Sequence, residues 1–168
     1  MAAISPEQAG GLPLVHFLDL CAFSEGTSTH SLTKDDGYDV IVTGVSGPNI
    51  FEDYSFHPFA KGRKPIVVRE APNFLESTAS GRYQLLLRYW AAYRAVLHYT
   101  DFSPVTQDLI ALRQIDEKKA TALILAGNIE GAIAACSGIW ASLPGNAYGQ
   151  GGKSMTVLLA KYQELAAQ

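Results

Sequence analysis

A disulfide framework, a membrane span and a surplus of positive charge are all missing from this sequence. Its two cysteines, Cys21 and Cys136, lie in apolar stretches of helical pattern, which excludes a stapled secreted scaffold and suits a reducing compartment. The first apolar run is interrupted by His16 and Asp19, and Met1 to Gln8 carries Glu7 without a basic region, so neither a membrane span nor a signal peptide is expected. Thirteen Lys and Arg against sixteen Asp and Glu give a formal charge of -3. No global field therefore draws the molecule to nucleic acid or to an anionic lipid surface. The one basic cluster, Lys61, Arg63, Lys64 and Arg69 around Gly62 and Pro65, reads as a solvated loop.

Metal and nucleotide chemistry lack their patterns too. His16, His30, His57 and His98 are scattered, without i,i+4 spacing or a cysteine partner, so no metal is expected. The run Gly149-Gln150-Gly151-Gly152-Lys153-Ser154 ends like a phosphate-binding loop but has alanine at position 147, where the turn needs glycine. None of Ser24, Ser77 and Ser80 sits in a Gly-x-Ser-x-Gly elbow, which argues against a serine hydrolase.

What is present is a chain of 168 residues, 48% of them apolar, enough for one domain with a real core. Leu12 to Glu25 reads as an amphipathic helix with Pro13 near its start. From Thr27 to about residue 70 the composition turns polar and glycine-rich. There the β-branched run Val40-Ile41-Val42-Thr43, turn material at Ser46-Gly47-Pro48-Asn49, a second short run Ile50-Phe51, and Ile66-Val67-Val68 suggest a small β-rich insert. From Gly81 the chain reads as helical to Ala166. Arg82 to His98 has no breaker, Ser103-Pro104 opens a helix to about Glu117, and Lys118 to Ala126 continues to Gly127. Asn128 caps a helix to about Ile139, and Ser154 to Ala166 forms the last. The expectation is α+β: one domain over 1–168, helical in 12–25 and 81–166, with a cleft where the β-rich insert meets the helices.

The most informative residue is Glu25. Leu14, Leu18, Cys21 and Glu25 follow at spacings of four, three and four, so the carboxyl continues a stripe that is otherwise apolar. Gly26 then marks a helix end, leaving Glu25 beside unpaired carbonyls. Burial and the negative helix terminus both disfavour its charged form. Read alone, an acid in this place is also an ordinary helix-end glutamate. Asp35, Asp36, Asp39, Glu52 and Asp53 in the insert offer a second carboxylate of the kind glycosidases use, and read equally as solvated turn residues. Around Gly81-Arg82-Tyr83-Gln84 and Asn146-Ala147-Tyr148-Gly149-Gln150, amides and aromatic rings combine as sugar-binding surfaces do, because amides match hydroxyls and rings cover pyranose faces.

Taken as an ordered set, these pieces carry a resemblance. Phe17-Leu18-Asp19-Leu20, Ser24-Glu25-Gly26-Thr27, Gly37-Tyr38-Asp39-Val40-Ile41-Val42, Asp53-Tyr54-Ser55 with His57-Pro58, and Gly81-Arg82-Tyr83-Gln84 come first. Phe102-Ser103-Pro104 with Gln107-Asp108, and Ile139-Trp140-Ala141-Ser142-Leu143-Pro144-Gly145 with Tyr148-Gly149-Gln150, complete it. Together they resemble the phage lambda endolysin family over nearly the whole chain. The resemblance implies a lysozyme-like α+β fold and peptidoglycan lytic transglycosylase activity without metal or cofactor. It makes Glu25 the single catalytic acid and base, and Tyr38, Arg82, Tyr83, Gln84, Tyr148 and Gln150 lining of the glycan cleft, flanked by loops around 53–65 and 143–152. It further implies a monomer that is made in the host cytoplasm and neither binds nucleic acid nor inserts in the membrane. Such a protein reaches periplasmic peptidoglycan after a holin, an indirect partner, opens the inner membrane. The slightly acidic charge, and the longer look of Val45-Ser46-Gly47-Pro48-Asn49 and Phe59-Ala60-Lys61-Gly62, depart from the family pattern. A hydrolytic muramidase pairing Glu25 with Asp35, Asp36 or Asp53, and an inactive wall-binding domain, are the alternatives.

Overall fold

The computed structural model describes residues 1–145 and 152–168. The chain forms two compact units, one of Met1–Gly26 with Asp108–Gln168, the other of Thr27–Gln107.

The first unit is helical. A short helix α1 (Pro6–Ala9) is closed by a capping box in which Ser5 and Gln8 satisfy each other's amides, with Pro6 in the first turn. Helix α2 (Leu12–Glu25) follows, with Pro13 in its first turn. It is not the one-striped helix its spacing suggests: Leu14, Val15, Phe17, Leu18, Asp19, Leu20, Cys21, Ala22 and Ser24 are all buried. A helix apolar on every side belongs inside a core, and α2 packs against α1, α5 (Ala120–Leu125) and α7 (Met155–Ala166). Each fully buried Leu or Phe contributes about 1.5–3 kcal/mol, which outweighs the cost of carrying Asp19 inside, since its Oδ1 accepts the Ala2 amide at 2.7 Å. Asp108 does the same service nearby, Oδ2 accepting from the amides of Ala3 and Ile4 at 2.8 and 2.9 Å.

Downstream, α4 (Pro104–Glu117) begins at the Ser103-Pro104 signal, its Ser103 hydroxyl accepting from the Thr106 amide. The helical run then breaks because Lys119 takes a left-handed conformation, φ 60°, before α5. Asn128 caps α6 (Ile129–Cys136), which stops three residues before the expected end, and Ser154 caps α7. That cap occupies the Ser154 hydroxyl, the group a phosphate-binding loop would turn toward its ligand.

The second unit holds two antiparallel hairpins. Strands β1 (Val40–Gly44) and β2 (Gly47–Ile50) pair Val40 with Ile50, Ile41 with Asn49 and Gly44 with Gly47. Gly47 and Pro48, expected as turn material, are therefore strand, the turn being Val45-Ser46; Pro48 is tolerated because each hairpin is only two strands wide. Strands β3 (Ile66–Arg69) and β4 (Leu75–Ser77) form the other hairpin, and the Val45 amide donates to the Val67 carbonyl at 2.9 Å. Gly44 permits that approach, because a Cβ there would lie 2.6 Å from the Val67 oxygen. Helix α3 (Leu87–Leu97) begins five residues later than expected. Ser80 bridges both Ile41 and Leu85, so residues 80–85 form a tight turn instead of a first helical turn. An aromatic cluster of Phe51, His57, Trp90 and Phe102 fills the interior. Lys61, Arg63, Lys64 and Arg69 are exposed, as a solvated loop would have them.

Candidate functional site

Glu25 is the last residue of α2, and Gly26 behind it takes the left-handed conformation that ends the helix, φ 75°, donating to the carbonyls of Ala22 and Phe23. The Glu25 carboxyl is half-buried. Its Oε1 accepts a hydrogen bond from the Ser142 hydroxyl at 2.5 Å, and the Ser142 oxygen accepts from the Ser24 hydroxyl at 2.9 Å. The first distance is in the range of a hydroxyl bound to a charged oxygen.

Burial raises the Glu25 pKa above the usual carboxylate range, and it outweighs the bonds from Ser142 and the nearby Lys153 charge, all of which favour the ionised form. Two expectations meet here: the acid is poised by desolvation, and it sits where the helix ends. Lys153 is itself held over the Phe23 ring, 4.7 Å from its centroid.

Ser142, the partner of the Glu25 carboxyl, carries no signal of that contact in the sequence. It stands in a turn pinned by Trp140, 3% exposed, and by fully buried Leu143, whose amide donates to the Trp140 carbonyl. Gly152 backs onto it so closely that a Cβ there would lie 2.8 Å from the Ser142 carbonyl carbon. Its one sequence signal was membership of the Trp140 to Gly145 piece. Ser24 is a buried hydrogen-bond donor and not a nucleophile in an elbow.

In the second unit, three of the expected glycan-lining residues are interior. Tyr38 is 2% exposed, Arg82 1% and Tyr83 4%. The Arg82 guanidinium pairs with the Asp36 carboxylate at 3.0 Å, donates to the Asp36 carbonyl and lies over the Tyr38 ring. Its backbone is held as firmly: the amide donates to Gln107 Oε1 at 2.8 Å, and the carbonyl accepts from the Thr27 hydroxyl at 2.6 Å. Thr27, the last member of the Ser24 to Thr27 piece, thus secures Arg82. Gln84 alone of these four is half-exposed, at φ 48° with its amide donating to the Gly81 carbonyl. Tyr148 and Gln150 lie outside the described residues.

The candidate second carboxylates have partners of their own. Asp35 accepts from the Tyr54 hydroxyl at 2.6 Å, Asp36 holds Arg82, and Asp53 accepts from the Ser55 amide at 2.8 Å while facing Lys61. Asp39 accepts from the Thr33 hydroxyl and the Lys34 amide, and exposed Glu52 pairs with Lys34. Among the described residues no group of three or more His, Cys, Asp or Glu is placed to hold a metal ion, and no helix is long and apolar enough to cross a membrane.

Known proteins resemble the chain over most of its length. The family model described as Endolysin matches residues 15–168. The endolysin of Escherichia phage P2 is 52% identical over 148 residues, 88% of each chain. That of Escherichia phage lambda is 48% identical over 149 residues, 88% of this chain and 87% of its own. A solved bacteriophage lambda lysozyme complexed with a chitohexasaccharide superposes with a TM-score of 0.82 at 45% identity, covering 99% of this chain and 97% of that one. A second lambda lysozyme structure gives 0.78 at 44% identity, over 98% and 97%. The α+β architecture is therefore lysozyme-like. With a match that runs from within α2 through the Ser142 turn to the last residue of α7 and beyond, the chain belongs to the endolysin family.

Proposed function

We propose that this protein degrades peptidoglycan to lyse a phage-infected host, and that it does so as a lytic transglycosylase with Glu25 as its one acid and base. The observation that carries the reading is a half-buried carboxyl, raised in pKa by desolvation, at the end of a core helix. Protonated Glu25 donates to the oxygen linking N-acetylmuramic acid to N-acetylglucosamine, and the muramoyl 2-acetamido group stabilises the positive charge developing at C1. The resulting carboxylate then takes the proton of the muramoyl C6 hydroxyl. That oxygen attacks C1 and closes a 1,6-anhydro ring, leaving Glu25 protonated for the next cycle. Because Asp35, Asp36 and Asp53 are each held by other groups, a lone acid is favoured over a carboxylate pair.

Glycan binding is inferred from the relative that carries a chitohexasaccharide. Gln84 contacts the sugar, while Tyr38, Arg82 and Tyr83 act from inside, fixing the segment that presents it; Tyr148 and Gln150 complete the set. The enzyme works as a monomer and reaches the wall once a holin has opened the inner membrane. Mass spectrometry of digested sacculi tests the chemistry. Anhydro-muramoyl ends are expected, and reducing ends, heavier by one water, would replace this reading with hydrolysis.

A further inference from the structure

The Ser24, Ser142 and Glu25 side chains form a chain of hydrogen bonds with a single direction. Ser24 donates to Ser142 and Ser142 donates to Glu25 Oε1. A hydroxyl has one proton to give, so with Ser24 filling an acceptor site on Ser142, the Ser142 proton is committed to Oε1. The Ser142 backbone also bonds to the carboxyl; with the hydroxyl proton on Oε1, that oxygen is the carbonyl oxygen whenever Glu25 is protonated, and the transferable proton sits on Oε2. When Glu25 is ionised the same bond persists, now charge-assisted. Both protonation states are thus served without any side chain turning.

We infer that Ser142, backed by Ser24, is the positioning residue that lets one carboxyl act first as acid and then as base, by holding Oε1 as a permanent acceptor and reserving Oε2 for the proton. This rests on Glu25 being the acid and base. Position matters because reacting groups misplaced by about 1 Å lose roughly 10²-fold in rate. The fold fixes this donor from both sides, through the Trp140 and Leu143 anchors and through Gly152 pressed against the Ser142 backbone.

Lys153 acts on Glu25, and on α7 Lys161 lies over the Phe23 ring, as Lys153 does. On α2 itself His16 meets the Tyr162 ring edge and Asp19 holds the Ala2 amide; on α7 Glu164 pairs with Lys161; α5 has no ionisable side chain, and α1 contributes only Glu7.

The test is the pH profile of kcat and KM on purified sacculi for wild type, Ser142→Ala, Ser142→Thr, Ser24→Ala and Glu25→Gln, at one ionic strength. Ser142→Ala is expected to lower kcat by about 10- to 100-fold with KM little changed. It also moves the alkaline limb upward, because a bond favouring the ionised form is gone. Ser24→Ala shifts the limb the same way by less, and Ser142→Thr, which keeps the hydroxyl, returns it toward the wild-type position. A Ser142→Ala enzyme with wild-type kcat overturns the inference. So does one that loses kcat while its limb stays in place, the mark of a merely structural role. Wild-type cleavage by Glu25→Gln would instead remove the acid itself, a separate failure visible whatever the serine variants do.

Discussion

Replacing Gly81 by alanine tests how the turn before Arg82 is held. Gly81 has φ 77°, and a Cβ built there overlaps Gln107 Oε1 and lies 2.7 Å from its Cδ. Gln107 has nowhere cheap to go. It is 3% exposed, with Oε1 accepting from the Arg82 amide at 2.8 Å and Nε2 donating to the carbonyls of Tyr38 and Phe102 at 3.1 and 3.0 Å. The left-handed backbone costs alanine about 1–2 kcal/mol. Displacing Gln107 orphans the buried Arg82 amide for about 1–3 kcal/mol more, so Gly81→Ala is expected to cost about 2–5 kcal/mol in all. In a Gln107→Ala background the amide is already orphaned and the space already open. There the glycine substitution should cost only the backbone term, about 1–2 kcal/mol. Urea unfolding of the four proteins measures this, with unchanged m-values as the condition for comparing midpoints. The two substitutions should be non-additive by about 1–3 kcal/mol. Equal costs in both backgrounds, or a cost below about 0.5 kcal/mol in the wild type, would refute the claim that Gln107 clamps this turn.

Glu25→Gln should cut peptidoglycan cleavage by at least about 10²-fold and yet raise stability at neutral pH. Its pKa is raised in the folded protein, so stability from this group is full below the unfolded carboxylate value and is lost as pH rises through the folded one. Thermal unfolding against pH should lose that slope in the variant; an unchanged slope would contradict the assigned burial. His57 works in the opposite sense: burial lowers its pKa from 6.5 to about 4, so its contribution is present above pH 6.5 and disappears as pH falls to about 4. The gap corresponds to about 3 kcal/mol, and His57→Gln should flatten that part of the stability profile even if it is less stable at pH 7. Asp108→Ala removes the acceptor of the Ala3 and Ile4 amides and should cost about 2–5 kcal/mol, with hydrogen exchange at those two amides accelerating ahead of the rest of the helices.

Where a feature is local, the sequence displays it. The Ser103-Pro104, Asn128 and Ser154 starts, the β1 run and the Gly26 stop each depend on neighbours a few residues away, and all lie where their side-chain chemistry puts them. The Ser5 to Gln8 capping box is equally local, and Ser-Pro-Glu-Gln states it outright. Features that depend on distant partners were not legible. Residues 82–86 look helical until Ser80 pairs with Leu85 and with Ile41. The stripe through Leu14, Leu18, Cys21 and Glu25 was real but understated the burial of α2, because the helices that cover its other faces lie a hundred residues on. Glu25 could be found from its own helix, whereas the donor that meets it is 117 residues away. For the same reason Arg82 and Tyr38 read as ligand-facing when they in fact face each other.

That separation of 117 residues also imposes an order on synthesis. The first unit is discontinuous, with Met1–Gly26 waiting for Asp108–Gln168, whereas Thr27–Gln107 is one uninterrupted stretch. A ribosome therefore delivers Glu25 well before the serine whose hydroxyl meets it. Until residue 142 has been made, the Glu25 carboxyl lacks the hydroxyl that meets it. A chain cut short before the Trp140 turn contains the whole of Thr27–Gln107 but lacks the Ser142 bond to Glu25. Only once the Trp140 turn has been made can the Ser142 hydroxyl meet the Glu25 carboxyl.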